Sequence, residues 1–586
     1  MQAVEEFDFI VIGGGSAGCI AAARIADANL GSVLLVEAGD AAEENPETLL
    51  ASGFAQAFAN ENTLIDRLSI QQPRCAKRTL YMGSGTGMGG SGAVNGMVYT
   101  RGDRRDYAQW PEGWRWENVA PSFDALEHTL GVSTRNPNEF TNTCLDAALQ
   151  SGFERKDELN DGELCGHIGY QLMNYHGGDR RHAYSAFIKG FPRENLTVLT
   201  RTRLERIEFD ENMTAIAVHV RQRSAMQEIV RRIGLRKEII LCAGALETPK
   251  LLMLSGVGPS NQLRHFGIEP RAEVPAVGRN LQDHPNVCIF YRGNSETQSF
   301  YPQVYGFERM NPALALADQQ ADTCFVFYSA ASSLAPSMQR MLPALMLPAS
   351  QYGNRRWHRW IRNTVTLAFR LPFLQRFVNK VYGIVVILGK PSSRGEVTLA
   401  SADPAHAPRI NPGYFLNSDD LDTLTNGVIK AQQIAGQPAL TRWGNQGLSL
   451  AARSTDREKI KQWIKQSAMT TFHYAGTCKM GTHPSDPVDT QLRLKAARNV
   501  RIADASVIPE IPVAAINAPS MMIGWRVADF IIEEIERAQL VPAPNIASAS
   551  DNLPAEAKPK NSRKAASKGR AKKTKQARSR RPVPTL

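Results

Sequence analysis

The chain has 586 residues, 43% of them hydrophobic and 21% charged, a composition that excludes a disordered or fibrous protein and a length that exceeds one core. Its eight cysteines are scattered with no CxxC pair, which argues against a disulfide framework or a zinc site; no metal is expected, and a reducing, cytoplasmic setting is. The formal charge of +11 sits in a tail: after Glu556 there are twelve basic residues and no acid, so the body before it is near neutral.

Taken in chain order, "FDFIVIGGGSAG", "CIAAARIADA" and "SVLLVEAGD" read as strand, glycine turn, small-residue helix and second strand, a βαβ unit. The apolar strand begins so soon after Met1 that no cleavable leader is expected, and no run reaches the roughly 18 to 20 apolar residues of a membrane span. Residues 82–102, "MGSGTGMGGSGAVNGMVYTRG", lack helix or strand periodicity, and glycine at that density predicts backbone lying against a ligand or crowded into tight turns. "NLTVLTRTRLERIEF" and "KEIILCAG" predict strands, and "ALETPKLLMLSGVG" a helix closed by glycine. Between Cys288 and Lys465 strands such as "GIVVILG" and "GEVTLAS" mix with the helical "SDDLDTLTNGVIKAQQIAG", without a glycine fingerprint. "NVRIADASVIP" predicts a strand and turn, "NAPSMMIGWRVADFIIEEIERA" a terminal helix, and beyond Leu540 the composition is that of a disordered tail.

Gly13, Gly15 and Gly18 form GxGxxG between strand and helix. The first permits a sharp turn, the second lets backbone approach a pyrophosphate and the third brings helix against strand, with Ser16 inside the turn. A pyrophosphate is favoured there by unpaired N–H groups and the helix dipole. Glu37 ends the second strand about twenty residues on, where a carboxylate accepts hydrogen bonds from ribose hydroxyls. The fingerprint alone leaves NAD and FAD open.

From Met82 onward the chain resembles the glucose-methanol-choline (GMC) oxidoreductases. The first family signature stands as Gly89-Gly90-Ser91-Gly92-Ala93-Val94-Asn95 and the second as "GALETPKLLMLSGVG". "TTFHYAGTCKMG" and "NVRIADASVIPEIPVAAINAPSMMIG" are similar to the active-site segments. These four blocks, in order, cover roughly residues 6 to 538. The resemblance implies an α/β fold: a Rossmann-type FAD-binding domain (1–155, 195–287 and 466–540) paired with an α+β substrate domain on an antiparallel sheet (156–194 and 288–465), followed by the basic tail 541–586.

It also implies roles. His473 is the base that takes the alcohol proton, a task suited to an imidazole largely neutral near pH 7, and Asn517 holds the substrate oxygen. Met88, Gly90, Asn95, Gly96, Met97 and Val98 match the stretch along the flavin, Leu204 the strand at the adenine, and Asp504 and Ala505 the segment near the ribityl chain and pyrophosphate. Val94 stands where some members attach flavin through histidine, so noncovalent FAD is expected. The expected reaction is oxidation of a lipophilic or choline-like primary alcohol, with a quinone, dye or oxygen as electron acceptor and dehydrogenase favoured over oxidase. His473-Tyr474 also occurs in hydroxynitrile lyases of this fold, which makes a non-oxidative lyase or photodecarboxylase the alternative. A binding protein with a vestigial flavin is a third reading, opposed by intact His473 and Asn517.

His284, in "NLQDHPN", reads as a loop or capping residue near the domain junction, and Cys478 as a buried structural thiol. In "RRWHRWIRNTVTLAFRLPFLQRFVNKVY" arginines alternate with aromatic and aliphatic residues, a pattern of either solvated packed helices or peripheral contact with an anionic membrane. The tail reads as an accessory segment able to hold anionic lipid or nucleic acid nonspecifically.

Overall fold

Two sheets carry the architecture in a computed structural model, which describes residues 5–134, 136–224, 227–297, 303–347 and 355–540. The basic tail lies outside the described residues. One compact unit extends to Glu536.

The first sheet has seven strands. Its parallel layer runs Leu196–Leu199, Val33–Val36, Glu6–Ile12 and the C-terminal half of Glu228–Leu241, with Val500–Ile502 pairing on the far side of that last strand. Val33–Val36 is buried throughout, as a parallel strand covered on both faces must be. The N-terminal half of Glu228–Leu241 instead joins Ala215–Arg223 and Thr202–Phe209 in an antiparallel meander. Only Thr200 and Arg201 separate Leu196–Leu199 from Thr202–Phe209. Arg201, at φ 53°, bends the chain, and Thr202 N donates to Glu37 O at 2.8 Å, so the meander begins at the end of the second parallel strand.

Helix Gly18–Asp27 packs on this sheet with eight of its ten residues buried. A Cβ on Gly18 would stand 1.9 Å from Gly13 O, so only glycine admits this approach of helix to turn. The terminal helix Asn517–Leu540 docks alongside. A Cβ on its Gly524 would lie 2.4 Å from Ala17 O, and Arg24 donates to Trp525 O and to Asp529, both at 2.7 Å.

The second sheet has eight strands, ordered Gln446–Gly447, Pro285–Arg292, Val381–Leu388, Thr323–Ser329, Val304–Glu308, His167–Tyr170 and Glu154–Arg155, with Met469–Thr470 also pairing Pro285–Arg292. All pairs are antiparallel except the last two strands of that order. Helix Ser418–Ala435, capped by the Asn417 side chain, covers one face; its buried Leu424, Val428 and Ala431 share a core with Ile384 and Val386. Segment Gly395–Thr398 belongs to neither large sheet, forming instead a three-stranded one with Arg279–Leu281 and Arg409–Asn411. All eight cysteines are free thiols. Among the described residues no helix is long and apolar enough to cross a membrane.

Candidate active site

A cavity of about 620 Å³ runs from the glycine turn of the first sheet to the face of the second. Of the residues singled out from sequence, Gly13, Gly15, Ser16, Glu37, Gly90, Asn95, Gly96, Val98, Leu204, His473, Asp504, Ala505 and Asn517 line it. Gly18, Met88 and Met97 do not. Gly18 faces the Gly13 carbonyl, as above. Met88 is buried beneath Gly14, where a Cβ would meet its Sδ at 2.7 Å. Met97, at φ 62°, buries its side chain among Ala51, Met173 and Tyr175. The side chains of Met88 and Met97 pack behind the wall, while Gly90, Asn95, Gly96 and Val98 of the same stretch face the cavity.

The two glycine-rich segments meet at this wall. Gly90 adopts φ 54°, and a Cβ there would lie 2.8 Å from Gly15 Cα, so backbone touches backbone and the surface stays open to a ligand. No side chain caps the start of helix Gly18–Asp27, which leaves its N-terminal dipole for an anionic group. Glu37 accepts from Gly14 N (2.7 Å), Gly39 N (2.8 Å) and Gly87 N (2.9 Å), tying both glycine segments to the second strand. Burial raises its carboxyl above the usual carboxylate range, opposed by those N–H donors. Asp504 is similarly engaged, by Gly244 N (2.8 Å), Thr248 Oγ1 (2.6 Å) and Ser506 N (2.7 Å).

At the other end His473 follows Phe472, which holds φ 64° and donates its N–H to Thr470 Oγ1 at 2.7 Å. A left-handed aromatic residue costs about 1–3 kcal/mol and here turns the chain so that His473 reaches the cavity. Its Nδ1 lies 2.9 Å from Nδ1 of His284, which is fully buried and also lines the cavity. His284 lies in a loop, as its sequence suggests, but it faces the cavity and meets His473. Beneath the pair, Asp283 accepts from both backbone N–H groups at 2.9 Å, from Thr470 Oγ1 at 2.6 Å and from the Tyr414 hydroxyl. Burial lifts its carboxyl to about 6. Burial also pulls His473 down to about 4 and His284 well below the ordinary imidazole value, so both rings are neutral at physiological pH.

Asn517 opens the terminal helix, and its Oδ1 accepts from Ser16 Oγ at 2.7 Å. Gly92 makes room for this pair, since a Cβ there would stand 2.8 Å from the Ser16 oxygen. The Asn517 Nδ2 is buried without a hydrogen-bond partner among the described residues, a donor left for a bound oxygen. Cys478 is fully buried with its thiol pushed up by desolvation, which suits a structural role.

The family model for GMC oxidoreductase matches residues 7–286 with its N-terminal part and 391–524 with its C-terminal part. The chain is 28% identical to an alcohol dehydrogenase [acceptor] of Pseudomonas putida, over 91% of this chain and 97% of that one. It is 30% identical to an oxygen-dependent choline dehydrogenase of Rhizobium etli, over 90% and 95%. Among solved structures it is similar to pyridoxine 4-oxidase from Mesorbium loti, with TM-score 0.76, 25% identity and coverage of 89% and 98%. The first matched segment contains the glycine cradle, Glu37 and His284, and the second contains His473 and Asn517; the chain belongs to the GMC oxidoreductase family.

Proposed function

We propose that the protein binds FAD noncovalently and oxidises an uncharged, lipophilic primary alcohol as a dehydrogenase, with His473 as base and Asn517 as the partner of the substrate oxygen. The observation that carries the substrate class is the chemistry of the wall. The second sheet presents Tyr305, Phe307, Cys324, Val326, Val385 and Ile387 to the cavity. Among the described residues, the carboxylates on the wall, Glu37, Glu247 and Asp504, belong to the nucleotide half and are spent on backbone donors, on Arg67 and Lys250, or on Thr248. A quaternary ammonium would meet no free carboxylate on this face and would depend on the rings of Tyr305 and Phe307 alone, whereas a neutral chain is matched by the whole wall.

The cradle of Gly15 and Gly90, the uncapped helix and the fixed Glu37 fit a dinucleotide, and Val94 on the wall offers no nucleophile for a covalent flavin bond. Bound there, the flavin supplies the hydride acceptor. The chain's own residues handle the proton. Two Nδ1 atoms at 2.9 Å share one proton, which we place on His473, so that His284 accepts at Nδ1. His473 then donates from Nδ1, and its Nε2 is the lone pair that takes the hydroxyl proton. Ser16 fixes Asn517 Oδ1, which turns Nδ2 into the donor for the developing alkoxide. The relative at 28% identity is by name an acceptor-linked alcohol dehydrogenase, which supports that preference, while the one at 30% is by name oxygen-dependent.

The test is dye-linked turnover of 1-octanol and benzyl alcohol against choline. The neutral alcohols are expected to give the higher kcat/KM by at least about tenfold, the scale of one uncompensated polar group. Preference for choline would contradict the substrate class.

A further inference from the structure

Between strands Thr323–Ser329 and Val381–Leu388 the chain leaves the second sheet and forms helices Ala330–Met346, Arg355–Ala368 and Pro372–Val378. Helix Arg355–Ala368 packs on Ala330–Met346, and its His358, Ile361 and Val365 are buried. A second apolar set points to water: Trp357 is 48% exposed, Trp360 58%, Leu367 66%, Leu371 43% and Phe373 67%. Isolated exposed apolar residues need no explanation, but five on two successive helices and the turn between them make a patch.

Its charge is one-sided. From Thr323 to Arg394 the sequence holds ten Lys and Arg and no acid. Arg340 and Arg362 pair with Asp66, Arg362 also with Glu61, and Lys390 and Arg394 with Asp106 and Glu510, whereas Arg359, Arg370 and Arg376 are exposed on the same two helices and the turn as the rings. The patch also has a path to the cavity. Helix Ala330–Met346 packs on Phe54–Ala59, Arg340 donates to Phe58 O at 3.0 Å, and the Phe58 ring lines the cavity edge-on to Phe472 at 6.1 Å.

We propose that this surface docks the protein on an anionic phospholipid bilayer, with the Trp and Phe rings at the headgroup boundary and the arginines on lipid phosphates. Charge selects this occupant over a second copy of the chain, because a two-fold contact would set the same arginines against one another. The inference rests on the patch and stands apart from the reaction proposed above.

The full-length chain is mixed with vesicles of phosphatidylcholine alone or containing phosphatidylglycerol, and binding is read by co-sedimentation and by quenching of tryptophan with brominated acyl chains. Wild type is expected to bind the anionic vesicles and to be quenched. The W357S/W360S/F373S variant, which keeps every charge including the tail's, is expected to bind about tenfold more weakly with turnover of a water-soluble alcohol unchanged. A second variant, R359Q/R370Q/R376Q, is expected to lose affinity while keeping its aromatic rings. Absence of vesicle binding by wild type overturns the proposal. So does undiminished binding by both variants, which assigns the contact to the tail, or a wild-type dimer that the aromatic variant abolishes without any vesicle binding.

Discussion

The Nδ1 atoms of His284 and His473 face each other at 2.9 Å, although 189 positions separate them in the chain. One ring must donate and the other accept, so the pair fixes a tautomer as well as an orientation. His284→Ala removes the acceptor and frees the His473 ring. A fall in kcat of about 10- to 100-fold is expected with flavin content unchanged, less than the roughly 10²–10⁴-fold of losing the base itself in His473→Ala. Steady-state kinetics of both variants check the ranking, and equal losses would place the two histidines in one indivisible unit.

The pH dependence follows from burial. His473 is held at about 4, below the ordinary imidazole value, so its lone pair is available across the neutral and mildly acidic range. The acid limb of kcat/KM is expected near pH 4, rather than near 6.5. The same shift bears on stability. A histidine whose folded pKa is depressed binds its proton more readily when unfolded, so stability is lost as pH falls from about 6.5 towards 4. Asp283 has the opposite sign: its carboxyl, raised to about 6, makes the fold less stable as pH rises from about 4 through 6. A kcat/KM profile and thermal melts over pH 4 to 8 measure both.

Ser16 joins the glycine turn to the substrate side through Asn517. Ser16→Ala leaves the amide free to rotate, and a several-fold to about tenfold loss in kcat is expected; Asn517→Ala removes the donor itself, for about 10²–10³-fold. Both variants are expected to retain flavin by absorbance. Loss of flavin in Ser16→Ala would show that the hydroxyl serves the cofactor instead.

Glu37 accepts three backbone N–H groups, and Glu37→Gln places an amide N–H₂ against at least one of them. A buried donor left unpaired costs about 1–3 kcal/mol, so a lower Tm and reduced flavin occupancy are expected together. Gly90→Ala is expected to reduce flavin occupancy as well, because its Cβ has no space against Gly15 and its φ of 54° disfavours a side chain.

Much of the nucleotide half is legible in sequence because its information is local. Gly13, Gly15, Gly18 and Glu37 fall within one βαβ unit, and periodicity and turn chemistry read such a unit directly. The substrate half is legible only in outline. Its sheet is assembled from strands between Glu154 and Thr470, and no spacing rule reports which strands pair over that distance. Resemblance locates the blocks that hold His473 and Asn517, but a block does not say where each side chain points: within one glycine-rich stretch Asn95 and Val98 face the cavity while Met88 and Met97 pack behind it. His284 sits in an ordinary loop sequence, and its contact with His473 arises from the antiparallel pairing of Pro285–Arg292 with Met469–Thr470, a tertiary fact.

The central claim, that this cavity oxidises a neutral alcohol with His473 as base, is tested most directly by stopped-flow under anaerobic conditions, following the flavin band of the purified holoprotein on mixing with 1-octanol. Rapid bleaching by wild type and bleaching slowed by about 10²–10⁴-fold in His473→Ala is the predicted result. A bound flavin that neutral alcohols leave unbleached, or a bleaching rate that the His473 variant does not change, would contradict it.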